Sequence, residues 1–142
     1  MNKIITILAV WIIFGFVMAT TLSAREYNIT SYGAISDTTI LSTRAIQAAI
    51  DDCSRNNGGK VIIPTGNYRS GTIYFRSNVT LHLEKGATLY GSTRLSDYPE
   101  NLPDYTFYRK GTVKRALIYA EKCSNISIEG EGTINGQGGL FG

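Results

Sequence analysis

The sequence predicts a mainly β protein: a right-handed parallel β-helix, incomplete, with an N-terminal capping α-helix. Three observations predict it. Beyond the leader there is a single amphipathic helical stretch; after Lys60 the chain consists of short aliphatic runs set at glycine and asparagine corners; and one block of sequence occurs twice. Ser77-Asn78-Val79-Thr80-Leu81, then Gly86-Ala87-Thr88-Leu89-Tyr90-Gly91, returns as Ser124-Asn125-Ile126-Ser127-Ile128, then Gly132-Thr133-Ile134-Asn135-Gly136. The offset of 47 residues, Ser77 to Ser124, reads as about two turns of a solenoid whose repeat lies near the low end of the roughly 20–45 residue range.

The chain opens on an export signal. Lys3 precedes an unbroken apolar run from Ile4 to Met18, followed by small residues at Ala19-Thr20-Thr21 and Ser23-Ala24. Residues 1–24 therefore read as a signal peptide cleaved after Ala19 or Ala24. The run falls short of the about 20 residues that span a bilayer, and no stop-transfer pattern follows. The product is expected to be secreted or periplasmic and free of the membrane after cleavage.

Residues 25–142 suit one modest domain. The formal net charge is +3, of which the leader's Lys3 supplies one. That balance, with no basic block, gives no reason to expect a nucleic-acid partner. No obligate protein partner is expected either.

A short segment from Tyr27 to Tyr32, closed by Gly33, comes first. The helix follows, from Thr43 to Asn56. Ser42 is placed to cap it, Leu41 and Ile46 to staple it, and Asn56-Asn57-Gly58-Gly59 to stop it. Ile46, Ala49, Ile50 and Cys53 share one face at helical spacing. The strands expected after it are Val61–Ile63, Thr72–Phe75, Val79–Leu83, Thr88–Tyr90, Leu117–Tyr119, Ile126–Ile128 and Thr133–Ile134, separated by turn residues that include Gly66-Asn67 and Ser70-Gly71. Alternation turns Val79, Leu81 and Leu83 inward and Thr80, His82 and Glu84 outward. A solenoid must close its ends, and the helix is placed to close one of them. Nothing comparable follows Gly132, and Leu140 and Phe141 have no evident packing role. The segment from Ser96 to Lys114, with Tyr98, Tyr105, Phe107, Tyr108, Arg109 and Lys110, breaks the ladder. It reads as a surface loop, or as the wall of a saccharide groove where aromatic faces stack on sugars and cations pair with carboxylates.

Chemistry is harder to find. Glycoside hydrolysis needs two carboxylates about 5–9.5 Å apart across one bond. Asp51 and Asp52 are adjacent on a helix and do not face each other, so they read as its solvated face. Glu129 and Glu131 share a strand face but lie between glycines, so they read as solvated turn residues, with substrate contact the alternative. His82, the single histidine, has no Ser or Cys partner in view and reads as a solvent-face residue. Export permits a disulfide between Cys53 and Cys123, yet one lies on the helix stripe and the other at a strand end, so two separate core cysteines are the simpler reading. Neither has metal-ligand neighbours. Asn28-Ile-Thr30, Asn78-Val-Thr80 and Asn125-Ile-Ser127 are glycan acceptor sequons if the secretory pathway is eukaryotic. The residues alone describe a scaffold with no catalytic residue, no cofactor-binding or metal site and no assignable substrate-binding residue.

A resemblance adds to this reading. Tyr32-Gly-Ala34, Thr43-Arg-Ala-Ile-Gln-Ala-Ala-Ile-Asp51, Gly58-Gly-Lys-Val-Ile-Ile-Pro-Thr-Gly-Asn-Tyr68, Ser77-Asn-Val-Thr-Leu-His-Leu-Glu-Lys-Gly-Ala-Thr-Leu89 and Gly130-Glu-Gly-Thr-Ile-Asn-Gly136 occur in that order. Together they resemble the N-terminal part of polygalacturonase-type pectinases, glycoside hydrolase family 28, within the pectin-lyase-like β-helices. The resemblance implies that residues 25–142 are a truncated part of such a β-helix, and that its partner is pectic polysaccharide: α-linked galacturonan hydrolysed with inversion and no cofactor or metal. The family's Asn-Thr-Asp, catalytic Asp-Asp, Gly-His-Gly and Arg-x-Lys motifs have no counterpart here, since Asp51-Asp52 belongs to the helix, so the chain alone is expected to be inactive. Ile35-Ser36-Asp37 replaces the family's Gly-Asp-Gly, and Asn135 replaces an Asp. A β-helix pectate or rhamnogalacturonan lyase, and a noncatalytic polysaccharide-binding β-helix or adhesin, are the alternative readings.

Overall fold

The structure, a computed structural model, describes residues 23–100 and 114–140. Most of the segment read as a signal peptide lies outside the described residues, as do Tyr105, Phe107, Tyr108, Arg109, Lys110 and Phe141. The described chain winds as a parallel β-helix with three strand columns. The first sheet stacks β1 (Glu26–Asn28), β2 (Gly59–Ile63), β5 (Val79–Leu83) and β8 (Ser127–Gly130). The second stacks β3 (Gly66–Ser70), β6 (Ala87–Gly91) and β9 (Thr133–Asn135), and the third pairs β4 (Ile73–Tyr74) with β7 (Ile118–Tyr119). Every pairing is parallel.

Register explains why alternation in sequence becomes a layered core. Tyr27, Val61, Leu81 and Ile128 lie in one column across the first sheet, and Tyr68, Leu89 and Ile134 in one column across the second. Every second residue of a strand points to the same face, so each column stacks apolar side chains between coils. Val61, Leu81 and Leu89 are fully buried, whereas Ile126, Ile128 and Ile134 of the last described coil are 38%, 47% and 37% exposed. The inward face of that coil is not fully covered by the described residues.

Helix α1 (Thr43–Arg55) buries Ala45, Ile46, Ala49, Ile50 and Cys53 against the opposite end of the stack. Fully burying Ile46 and Ile50 is worth about 1.5–3 kcal/mol each. The helix ends as the sequence predicts: Asn57 is left-handed at φ 69°, and the Gly58 N–H donates to the Cys53 carbonyl at 2.8 Å, closing a Schellman turn. Its start differs from expectation. Ser42 makes no side-chain cap; its N–H is drawn to the Arg69 carbonyl at 2.8 Å, and its hydroxyl turns to the Ile35 carbonyl. Leu41, the expected staple, remains 40% exposed and bridges to Arg69. The sheet fixes the entry to the helix more firmly than a cap would.

Two further expectations are corrected. Gly66 to Ser70, read as two turns, is a strand: Tyr68 at its centre is buried, while Asn67 and Arg69 point outward. The 47-residue offset is one coil, because Thr80 pairs directly with Ser127. An ordinary coil here spans the distance from Lys60 to Thr80. The longer one carries an excursion between Gly91 and Ile118, where the preceding coil needs only Gly71 and Thr72.

The described base of that excursion is well tied. Tyr98 is buried and donates its hydroxyl hydrogen to the Ser92 carbonyl at 2.6 Å. Arg115 donates from Nε to the Tyr98 carbonyl at 2.9 Å and pairs with Glu100 at 3.0 Å, joining the two ends of the excursion. Cys53 and Cys123 are both free thiols, and burial pushes the Cys53 thiol up from its ordinary value.

The asparagines of the repeat have a structural role. Asn57, Asn78 and Asn125 occupy left-handed corners at φ 69°, 65° and 55°, a conformation asparagine tolerates better than most residues. The Asn125 amide donates to Asn78 Oδ1 at 3.1 Å. The third sequon asparagine, Asn28, accepts from the Thr30 N–H and hydroxyl at 3.0 and 2.7 Å.

Candidate functional site

The outer faces of the first two sheets differ in chemistry. On the first, Lys60, Thr80 and Ser127 form one row and Ile62, His82 and Glu129 the next. Glu129 Oε1 accepts from Lys60 Nζ at 2.6 Å and meets His82 Nδ1 at 3.1 Å, while the Thr80 and Ser127 hydroxyls lie 2.8 Å apart. Lys60 chiefly, and His82 after it, hold the Glu129 carboxyl below its ordinary value of 4.5. These groups satisfy one another across three coils. The face is a closed ladder, and the Glu129–Glu131 pair considered from sequence is not a matched acid and base.

The other carboxylates considered from sequence are also committed. Asp51 accepts from Gln47 and from Arg76 Nε, each at 3.0 Å. Asp52 accepts from the Tyr32 hydroxyl at 2.5 Å, which pushes the phenol up to about 12, and from the Asn56 amide at 3.0 Å. They tie helix α1 to its surroundings instead of standing free on a solvated face. His82 lies on the outer face as expected, but its partner is Glu129.

The second sheet presents an open surface. Its outward rows are Asn67, Thr88 and Thr133, then Arg69, Tyr90 and Asn135. Beside them a trench of about 390 Å³ is lined by Thr38, Asn67, Arg69, Tyr90, Thr93 and Gln137. The turn before helix α1 forms one wall, where the Thr39 carbonyl accepts from Arg69 Nη2 at 2.9 Å. Thr93, at the root of the long excursion, and Gln137 stand on the other side; the Gln137 N–H donates to Asn135 Oδ1 at 3.0 Å, which fixes the turn after β9. A second hollow of about 230 Å³ lies at the base of the excursion between Leu95, Tyr98, Arg115, Ala116, Leu117 and Gly136.

The trench offers hydroxyls, amides, one aromatic ring and one guanidinium, and none of its lining residues is an acid. Such a set has the chemistry to hydrogen-bond a polyhydroxylated anion. It holds no pair of carboxylates of the kind that cleaves a glycosidic bond. Asn67 and Arg69 escaped the sequence reading because Gly66-Asn67 and Ser70-Gly71 look like turns; the signal present was the alternation of polar Asn67 and Arg69 about aromatic Tyr68.

No protein-family model matches the chain. Among characterised proteins it is 38% identical over 126 residues to an exo-poly-alpha-D-galacturonosidase of Dickeya chrysanthemi, an alignment covering 84% of this chain and 21% of the relative. Among solved structures, a family 28 exopolygalacturonase of Yersinia enterocolitica superposes with a TM-score of 0.69 at 38% identity, covering 80% of this chain and 21% of that one. A hyperthermoactive exopolygalacturonase of Thermotoga maritima superposes with a TM-score of 0.68 at 29% identity, covering 80% and 25%. The chain thus spans about a fifth to a quarter of the length of these relatives. Shared sequence and shared coil architecture over that span make this chain a homologue of the polygalacturonases of glycoside hydrolase family 28.

Proposed function

We propose that this chain is the opening section of a secreted hydrolase of α-linked galacturonan, in which residues 1–24 direct export, residues 25–142 form the helical cap and first coils, and later coils supply the catalytic carboxylates. The observation that carries the reading is the 126-residue alignment with a galacturonan-cleaving relative, in a chain whose open polar face offers a cation but no acid. Its chemistry supports binding rather than bond cleavage. The section would align pectic polysaccharide along the second sheet, and hydrolysis with inversion would take place beyond it, without cofactor or metal. Alone it would release no product. Among the described residues no helix is long and apolar enough to cross a membrane.

Reading the coding DNA downstream of the codon for Gly142 tests the proposal. An Asn-Thr-Asp motif followed by Asp-Asp and Gly-His-Gly is the expected result. A calcium-ligating aspartate cluster in that position would make the protein a lyase, and an immediate capping segment would make it a noncatalytic binder; either overturns the hydrolase reading.

A further inference from the structure

We infer that the trench on the second sheet is a subsite for an acidic sugar, with the Arg69 guanidinium receiving a uronate carboxylate and the Tyr90 ring supporting the pyranose beside it. The inference rests on the galacturonan reading above and assigns that reading to residues. Arg69 and Tyr90 are register partners on adjacent strands, both facing outward, so their backbones stand about 4.8 Å apart across the sheet and both side chains line the trench. A ring and a cation lining one trench suit a sugar ring with a carboxylate at its edge.

The state of Arg69 is the main argument. A guanidinium carries five N–H donors, and among the described residues this one uses only Nη2, toward the Thr39 carbonyl. Nε is buried with no acceptor, and no carboxylate oxygen of the described residues bonds the group. Asp37 interacts with it through charge without a hydrogen bond; its Oδ1 is bonded by the Thr39 N–H and hydroxyl, each at 2.7 Å. A half-buried cation with no carboxylate hydrogen-bonded to it is costly, and a bound anion in the trench would offset that cost. Asn67, Thr38, Thr93 and Gln137 around it supply donors and acceptors for ring hydroxyls. On the first sheet the equivalent cation, Lys60, is already neutralised by Glu129, which is why the second sheet and not the first is assigned.

Titration of the purified chain with trigalacturonate and with its methyl ester, followed by NMR and calorimetry, tests the assignment. The acid should bind at least about 10-fold more tightly than the ester, with the shift changes centred on Arg69, Tyr90 and Thr93. Arg69→Gln should remove about 10-fold of affinity for the acid and leave that for the ester unchanged. Because Arg69 also holds Thr39, a second variant, Thr93→Glu, places a carboxylate at the exposed rim without touching that bond, and should weaken the acid selectively. Equal affinity for acid and ester, or tight acid binding that neither variant alters, overturns the subsite while leaving the galacturonan reading standing. Failure of the folded chain to bind either ligand overturns both.

Discussion

Leu81 is fully buried between Val61 and Ile128 in its column, so truncation there opens a cavity between two coils. Leu81→Ala should cost about 2–5 kcal/mol in urea unfolding, and a loss below 1 kcal/mol, on the order of a surface change, would contradict the stacked core. The outer face of the same strand behaves differently. The Glu129 carboxyl is held below its ordinary value of 4.5 by Lys60 and His82, so its contribution to stability is present above that value and is lost as pH falls through the lowered one. Glu129→Gln should therefore flatten the loss of stability on acidification below pH 4.5. Parallel wild-type and variant limbs in thermal melts would remove the ladder from the account. Alternation made the inward and outward assignments of Val79 to Leu83 legible from sequence, but not the partners. Lys60 and Glu129 are 69 residues apart, and only the coil register brings them together.

At the scale of elements, helix α1 and most strands were readable because each is a local pattern: an apolar stripe, or an aliphatic alternation between corners. Two features were not. Strand β3 carries Asn67, Arg69 and Ser70 between glycines, composition that favours turns, and it becomes a strand only because Tyr68 is drawn into the core and β6 offers a parallel edge. The coil length was misread because the excursion between Gly91 and Ile118 stretches a single turn to the length of two. The candidate trench depends on both of these features, since Arg69 lies on β3 and Thr93 at the root of the excursion, and for that reason it was not legible in the residues. Corners are as demanding as strands. Gly130 has φ +110°, and a Cβ there would lie 2.0 Å from the Leu83 carbonyl oxygen. Gly130→Ala should destabilise the chain by about 2–4 kcal/mol through backbone strain and displacement of β8 from β5; a neutral effect on the melting temperature would show that the corner yields freely.

For the described coils taken together, the two end faces of the stack differ. Helix α1 covers one end, while Ile126, Ile128 and Ile134 present apolar surface and strand edges at the last described coil. Unpaired edges backed by aliphatic side chains favour association. The 142-residue chain by itself should show concentration-dependent sedimentation, and Ile128→Lys with Ile134→Lys should suppress it. A monodisperse wild-type monomer with a cooperative melt would contradict that expectation. Both the closed ladder on the first sheet and the open trench on the second lie on outer faces of the stack, away from that apolar surface.

On the proposed function, these coils would hold galacturonan and not cut it. One NMR experiment reads both parts: the purified chain is mixed with trigalacturonate while the protein amide signals and the sugar's anomeric signals are followed over time. Saturable shifts at Arg69, Tyr90 and Thr93 with the trisaccharide left intact are the expected result. New anomeric signals from saturable release of shorter products, or an unperturbed trench in the presence of excess ligand, would contradict it.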